Sequence, residues 1–215
     1  MTSEITEENI IAEAYSQRDP EAFYAKIAKN YDSLVKTVSK SRYQYALEVC
    51  VKFLNKNDRI LDVGAGTGKM GELLKSEGFH NIDATDISAE MLEVARGKNV
   101  YKNCIVGTIA PELPNPVPDQ SYDAVITVGC FGVGHLSIDC VDCLIKMVRP
   151  SGRIAIGNRE NWMHDQSHKY PGWVGGLQQK IDFLSKAGKI EVLANFVGED
   201  PNPAQNGAYV VFDCM

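Results

Sequence analysis

From residue 59 onward the hydrophobic positions alternate between two periods, short apolar runs with the spacing of strands and stripes every three or four residues with the spacing of helices. That alternation predicts a mostly parallel sheet with crossover helices. Arg59 to Val63 reads as the first strand, followed by a helix with Met70, Leu73 and Leu74 on one face and Gly78 as its stop. Asn81 to Thr85 is the second strand; Ser88 caps the next helix, whose apolar face is Met91, Leu92 and Ala95, and Gly97 ends it. Asn103 to Val106 is the third strand. After a proline-rich crossing from Ala110 to Asp119, Tyr122 to Val128 is apolar almost throughout, as a central strand covered on both faces should be. Ser137 caps a helix with the stripe Ile138, Val141, Leu144, Ile145 and Val148, stopped by Pro150, and Gly152 to Gly157 is the fifth strand. A polar and aromatic segment, Asn158 to Gly176, precedes a helix through Leu177, Ile181 and Leu184 that stops at Gly188. Ile190 to Val197 and Ala208 to Cys214 then close the pattern as a hairpin.

Before the first strand the pattern is helical. Asp19 and Pro20 supply an N-cap and a first-turn proline for a helix through Phe23 and Ile27 toward Tyr31, and a second stripe runs through Tyr45, Val49, Phe53 and Leu54. The expected organisation is one compact domain with N-terminal helices over residues 1–57 and an α/β core over 58–215.

Composition narrows the function classes. A hydrophobic content of 44% with 23% charged residues is that of a globular protein, and no apolar run approaches the ~18 residues of a membrane span. The N-terminus, with Glu4, Glu7, Glu8 and Glu13, does not read as a signal peptide, so a cytoplasmic protein away from membranes is expected. A net charge of −6 with scattered basic residues argues against nucleic acid as a partner. Of the six cysteines, Cys140 and Cys143 spell CxxC inside a helical stripe. With no further ligands at suitable spacing, the cysteines read as small buried hydrophobes, and no metal site is expected.

The chemistry concentrates in RILDVGAGTGKMG, residues 59–71. As a P-loop it fails, because Gly64 to Gly68 is one residue short and Met70 stands where a magnesium-binding hydroxyl is needed. As a dinucleotide loop, Gly66-x-Gly68-x-x-Gly71 fits GxGxxG with Asp86 about twenty residues on, but the strand ends at Val63, two residues too early. The tighter description is strand, Asp62, x, Gly64, x, Gly66, x, Gly68. A carboxylate two positions before the first glycine would crowd a pyrophosphate, yet suits a ligand with an ammonium group and no phosphate, such as S-adenosylmethionine.

With these motifs the chain resembles the class I S-adenosylmethionine-dependent methyltransferases. The resemblance rests on ILDVGAGTG at 60–68, ATDIS at 84–88, SYDAVITVG at 121–129 and LIKMVRPSGRIAIG at 144–157, in the family's order and spacing. The segments FYAKIAKNYD, EMLEVARGKNVYKN and GVGHL are similar to the Williams-Beuren-region methyltransferase-like proteins. The fold this implies is Rossmann-like α/β, a seven-stranded mostly parallel sheet in the order 3-2-1-4-5-7-6 with the last strand antiparallel and helices on both faces.

The resemblance also implies roles. Gly64, Ala65, Gly66 and Gly68 would lie against the amino-acid part of the cofactor, Asp62 would orient its ammonium group, and Asp86 would accept the ribose hydroxyls. Ile87, Thr108 and Ile109 would border the adenine, Gly129 the methyl donor, and Tyr24 and Tyr31, seven apart on one helical face, would form a lid over the cofactor. On the acceptor side the family's amino-methylating signature, Asp or Asn with two prolines and an aromatic, is replaced by Gly129-Cys-Phe-Gly-Val-Gly-His135, which disfavours nucleobase and glutamine methylation. His135 is the candidate acid-base residue, its alternative being a hydrogen-bonded histidine that holds the loop. Cys130, Phe131, Arg159, Trp162, His164, Tyr170 and Trp173 are the candidate acceptor residues, Trp162 and Tyr170 suiting an aromatic or cationic molecule. His164 and His168 lie four apart but lack a third metal ligand.

The expected activity is methyl transfer to N, O or S of a small-molecule acceptor, with S-adenosylhomocysteine as product. A non-catalytic cofactor-binding module, a peptide or protein methyltransferase and an NAD-dependent oxidoreductase are the alternatives, and the oligomeric state is open.

Overall fold

The computed structural model describes residues 20–34, 40–132, 134–164, 176–199 and 206–215. Its strands are β1 (Ile60–Val63), β2 (Ile82–Asp86), β3 (Cys104–Val106), β4 (Tyr122–Val128), β5 (Val148–Arg159), β6 (Ile190–Gly198) and β7 (Gly207–Cys214). They form one sheet in the order β3-β2-β1-β4-β5-β7-β6, as expected. The first five pair in parallel, and β7 runs antiparallel to both β5 and β6. The helices are α1 (Pro20–Ile27), α2 (Tyr31–Leu34), α3 (Lys40–Phe53), α4 (Lys69–Ser76), α5 (Ala89–Gly97), α6 (Cys140–Met147), α7 (Glu160–His164) and α8 (Leu177–Lys186), with a short 3-10 turn, Ala28–Asn30, between α1 and α2. Among the described residues no helix is long and apolar enough to cross a membrane.

Strand side chains alternate between faces, so the sheet buries two separate cores. Leu61, Val63, Val125, Ile154 and Ile156 pack with α6, α7 and α8. Ile60, Ala124, Ile126 and Val211 pack with α3 and α4. All six cysteines are free, and Cys140 and Cys143 are buried on α6, where they pack as small apolar groups.

Several local expectations need correction. Of the expected α3 stripe, Val49 and Leu54 are buried and Tyr45 and Phe53 only partly so, while Ala46, Leu47 and Cys50 complete the buried face. Ser137 does not cap α6 through its side chain; the cap position is Asp139, and Ser137 contributes its carbonyl to the Cys140 N–H at 3.0 Å. Pro150 lies inside β5 rather than before it. The register passes from Tyr122↔Val148 to Ala124↔Arg153, so the residues between bulge out of the ladder and the missing proline N–H is not needed. The polar and aromatic segment after β5 contains a short helix, α7.

One buried carboxylate ties the far end of the sheet together. Asp83 of β2 accepts from Arg59 Nη2 at 3.0 Å, from the Tyr122 hydroxyl at 3.0 Å and from Asn103 Nδ2 at 2.7 Å, joining residues beside β1, β3 and β4. Replacing Asp83 with Ala leaves the buried Tyr122 hydroxyl without its acceptor, and urea unfolding should show a loss of about 2–3 kcal/mol, moderated because Arg59 reaches water.

Candidate active site

A cavity of ≈ 360 Å³ lies at the carboxyl ends of β2, β1, β4 and β5, in the size range of small-ligand sites. Its floor is the turn from β1 into α4. Gly64, Gly66 and Gly68 have φ of 68°, 54° and 89°, the left-handed region that glycine enters without a Cβ penalty. A Cβ on Gly64 would stand 2.2 Å from the Cys130 sulfur, whereas one on Gly66 would meet no protein atom within 4 Å. The space beside Gly66 therefore belongs to the cavity.

The turn is held from outside. The Gly64 and Ala65 N–H groups donate to the Thr85 carbonyl at 2.8 and 3.1 Å, and the Gly66 N–H donates to Asp86 Oδ2 at 2.8 Å. The other Asp86 oxygen accepts the Ser88 N–H at 2.9 Å, and Ser88 itself caps α5. Burial pushes the Asp86 carboxyl up, and these backbone donors pull against it. Each oxygen keeps lone pairs for a further donor. Ile87, Thr108 and Ile109 continue the wall on this side.

Two expected cofactor residues stand behind the wall instead. Asp62 is 2% exposed and faces the α3/α4 side of the sheet, where the Tyr101 hydroxyl donates to it at 2.6 Å. Strand alternation gives the cavity to its neighbour Val63. Gly68 also does not line the cavity; a Cβ there would press on the Tyr101 ring and Ala95 at 3.1 and 3.2 Å. Gly71, the last glycine of the GxGxxG match, has a packing reason too, since a Cβ would lie 2.4 Å from the Tyr101 ring.

Gly129, Cys130, His135, Arg159 and Trp162 line the opposite side. Burial, with the carboxylates of Asp86 and Asp62 nearby, pushes the Cys130 thiol up to about 12. Phe131 is core rather than wall; it packs with α6 and α7, and its carbonyl accepts Asn158 Nδ2 at 3.0 Å. His164 is exposed and outside the cavity, because two residues along a helix from Trp162 is the other face. Tyr170, Trp173 and His168 lie outside the described residues.

Tyr24 and Tyr31 both reach the cavity, their rings edge to face at 6.1 Å between centroids. The 3-10 turn breaks the helix between them, so they meet across that turn rather than on one continuous face. The Tyr24 hydroxyl and His135 Nε2 share a hydrogen bond of 2.8 Å. Sequence reasoning missed Arg42, Tyr43 and Asn158 in the lining. Arg42 is 7% exposed and lies four residues before Ala46 on the buried stripe of α3, so a cation on an apolar stripe was the available signal.

Residues 60–152 match the family model described as a methyltransferase domain. Methyltransferase-like protein 27 of Homo sapiens is 29% identical over 174 residues, covering 80% of this chain and 68% of that protein, in line with the Williams-Beuren-region resemblance. A demethylmenaquinone methyltransferase of Clavibacter sepedonicus is 36% identical over 101 residues, 46% of this chain and 40% of that protein. Among solved structures, an S-adenosylmethionine-dependent methyltransferase from Aquifex aeolicus has the same fold, with a TM-score of 0.63 at 21% identity over 89% of this chain and 98% of that one.

Burial raises the Asp62 carboxyl to about 7, against the Tyr101 hydrogen bond that lowers it and with Asp86 adding to the rise. An unfolded chain holds an aspartate near ~3.9, so between about pH 4 and 7 the folded protein binds the extra proton and its stability falls as pH rises. In cofactor-free protein, the melting temperature of Asp62→Asn measured relative to the parent should rise from about pH 5 to pH 7 and level off above it. A constant difference would mean that Asp62 is ionised throughout.

Proposed function

We propose that the chain, an S-adenosylmethionine-dependent methyltransferase by its domain and its relatives, transfers the methyl group to N, O or S of a small-molecule acceptor held beside Cys130, Arg159 and Trp162. The observation that carries this reading is the single cavity shared by the glycine turn and Asp86 on one side and by Arg159, Trp162 and His135 on the other. Its modest volume and its cover of Tyr24 and Tyr31 favour an acceptor of small size over a folded polymer. The match to an enzyme named for demethylmenaquinone points the same way.

Bound S-adenosylmethionine supplies a methyl group already activated on a sulfonium. The chain's own residues must align an acceptor atom with it and exclude water. Asp86 accepts the ribose hydroxyls with its spare lone pairs, and Ile87, Thr108 and Ile109 enclose the base. Arg42, whose Nη1 is 3.7 Å from a Cβ built on Gly129, faces the amino-acid end and neutralises the donor's carboxylate. Asp62 acts through Tyr101 on the shape of the turn and makes no direct contact in this reading. Cys130 stays a protonated thiol near neutral pH, so it walls the reacting centre without competing as a nucleophile. His135 is engaged by Tyr24, and it serves as a base only for an acceptor whose proton can reach the ring.

Replacing Asp86 with Ala should weaken S-adenosylhomocysteine binding by about 1.5–3 kcal/mol in calorimetry, the worth of charged hydrogen bonds; unchanged affinity would remove the ribose assignment. Incubation of the protein with labelled donor and a small-metabolite extract should yield a labelled product below the size of a peptide. Cofactor binding without any labelled product would instead support a non-catalytic binding module.

A further inference from the structure

The N-terminal helices are fastened to the glycine turn by a carboxylate with no part in the chemistry above. Asp32, in the first turn of α2, accepts the Thr67 hydroxyl on one oxygen at 2.5 Å and Lys98 Nζ on the other at 2.6 Å. Lys98 caps the end of α5 and also reaches Glu72 of α4 at 3.1 Å. Thr67 sits between Gly66 and Gly68 and lines the cavity, and Tyr31, the neighbour of Asp32, lines it from the lid. One side chain therefore joins the floor of the cavity to its cover. Burial pushes the Asp32 carboxyl up, but Lys98 and Thr67 outweigh it and hold it below the usual carboxylate range, so it is charged throughout the neutral range.

We propose that Asp32, together with Lys98, is a positioning residue that latches the N-terminal helices over the glycine turn and thereby sets how long the cofactor stays bound. The inference rests on the methyltransferase reading. Separating the turn from Tyr31 widens the way out for a ligand lying between them, and separation breaks both arms of the Asp32 contact. The Asp32 side chain is 45% exposed, so the pair adds little to global stability, and its effect falls on the opening step. A charge-assisted contact of this kind also weakens in salt.

The test is the release rate of radiolabelled S-adenosylhomocysteine from the full chain, followed by rapid filtration after a chase with excess unlabelled S-adenosylhomocysteine. Asp32→Asn and Lys98→Met should each release it about threefold faster than the parent. The melting temperature of the cofactor-free variants should stay within about 2 °C of the parent. Glu72→Gln, which leaves the Asp32 pair intact, should release at the parental rate. Parental release rates in both Asp32→Asn and Lys98→Met, whether or not their melting temperatures fall, would overturn the latch while leaving the methyltransferase reading in place. A parent chain that does not bind S-adenosylhomocysteine would overturn that reading and the latch with it.

Discussion

The turn between β1 and α4 has one hydrogen bond of its own, from the Gly68 N–H to the Ala65 carbonyl, and the site depends on how its neighbours hold the rest. With glycines at 64, 66 and 68 all in the left-handed region, the turn gains freedom that must be removed from outside. The Thr85 carbonyl, the Asp86 carboxylate and Asp32 restrain it from three directions. Beneath it, the Tyr101 hydroxyl accepts the Gly71 N–H at 3.1 Å and donates to Asp62, so one ring links the start of α4 to the end of β1. Removing the side chains at 68 and 71 is what lets that ring approach.

Charge is distributed unevenly across the cavity. Asp86 stands at the end of β2 and Arg159 at the end of β5, with β1 and β4 between them, a span of about 14 Å at ~4.8 Å per strand. Arg42 adds a second cation beside Gly129 at the end of β4. A donor with a ribose at one end and a carboxylate toward the other meets a complementary field along this line, which is the electrostatic support for placing it there.

Much of this could be read along the chain, and the failures share causes. Ser88 as a cap, the central run Tyr122 to Val128 and the closing hairpin are local features whose signals are complete within a few residues, and they stand as expected. Asp62 belongs to the glycine motif, but the pleat turns it toward α3 and α4. Phe131 lies one residue and His164 two residues from a wall residue in sequence, and core packing or helix rotation carries them off the cavity. Arg42 escapes the hydrophobic pattern because the expected α3 stripe starts at Tyr45, about one turn beyond the buried arginine.

By itself, the sequence determined the order of elements and pointed to a class of donor, because hydrophobic period, glycine placement and an acidic end to β2 are short-range properties that survive without knowledge of the fold. The tertiary structure decided which of those residues face the ligand. The Tyr24 to His135 contact spans 111 positions and the Asp32 to Lys98 pair spans 66, distances over which no local pattern carries a signal. Only the docking of the N-terminal helices onto the carboxyl edge of the sheet brings a tyrosine, a carboxylate and a buried arginine to a turn whose own residues specify little more than its bend.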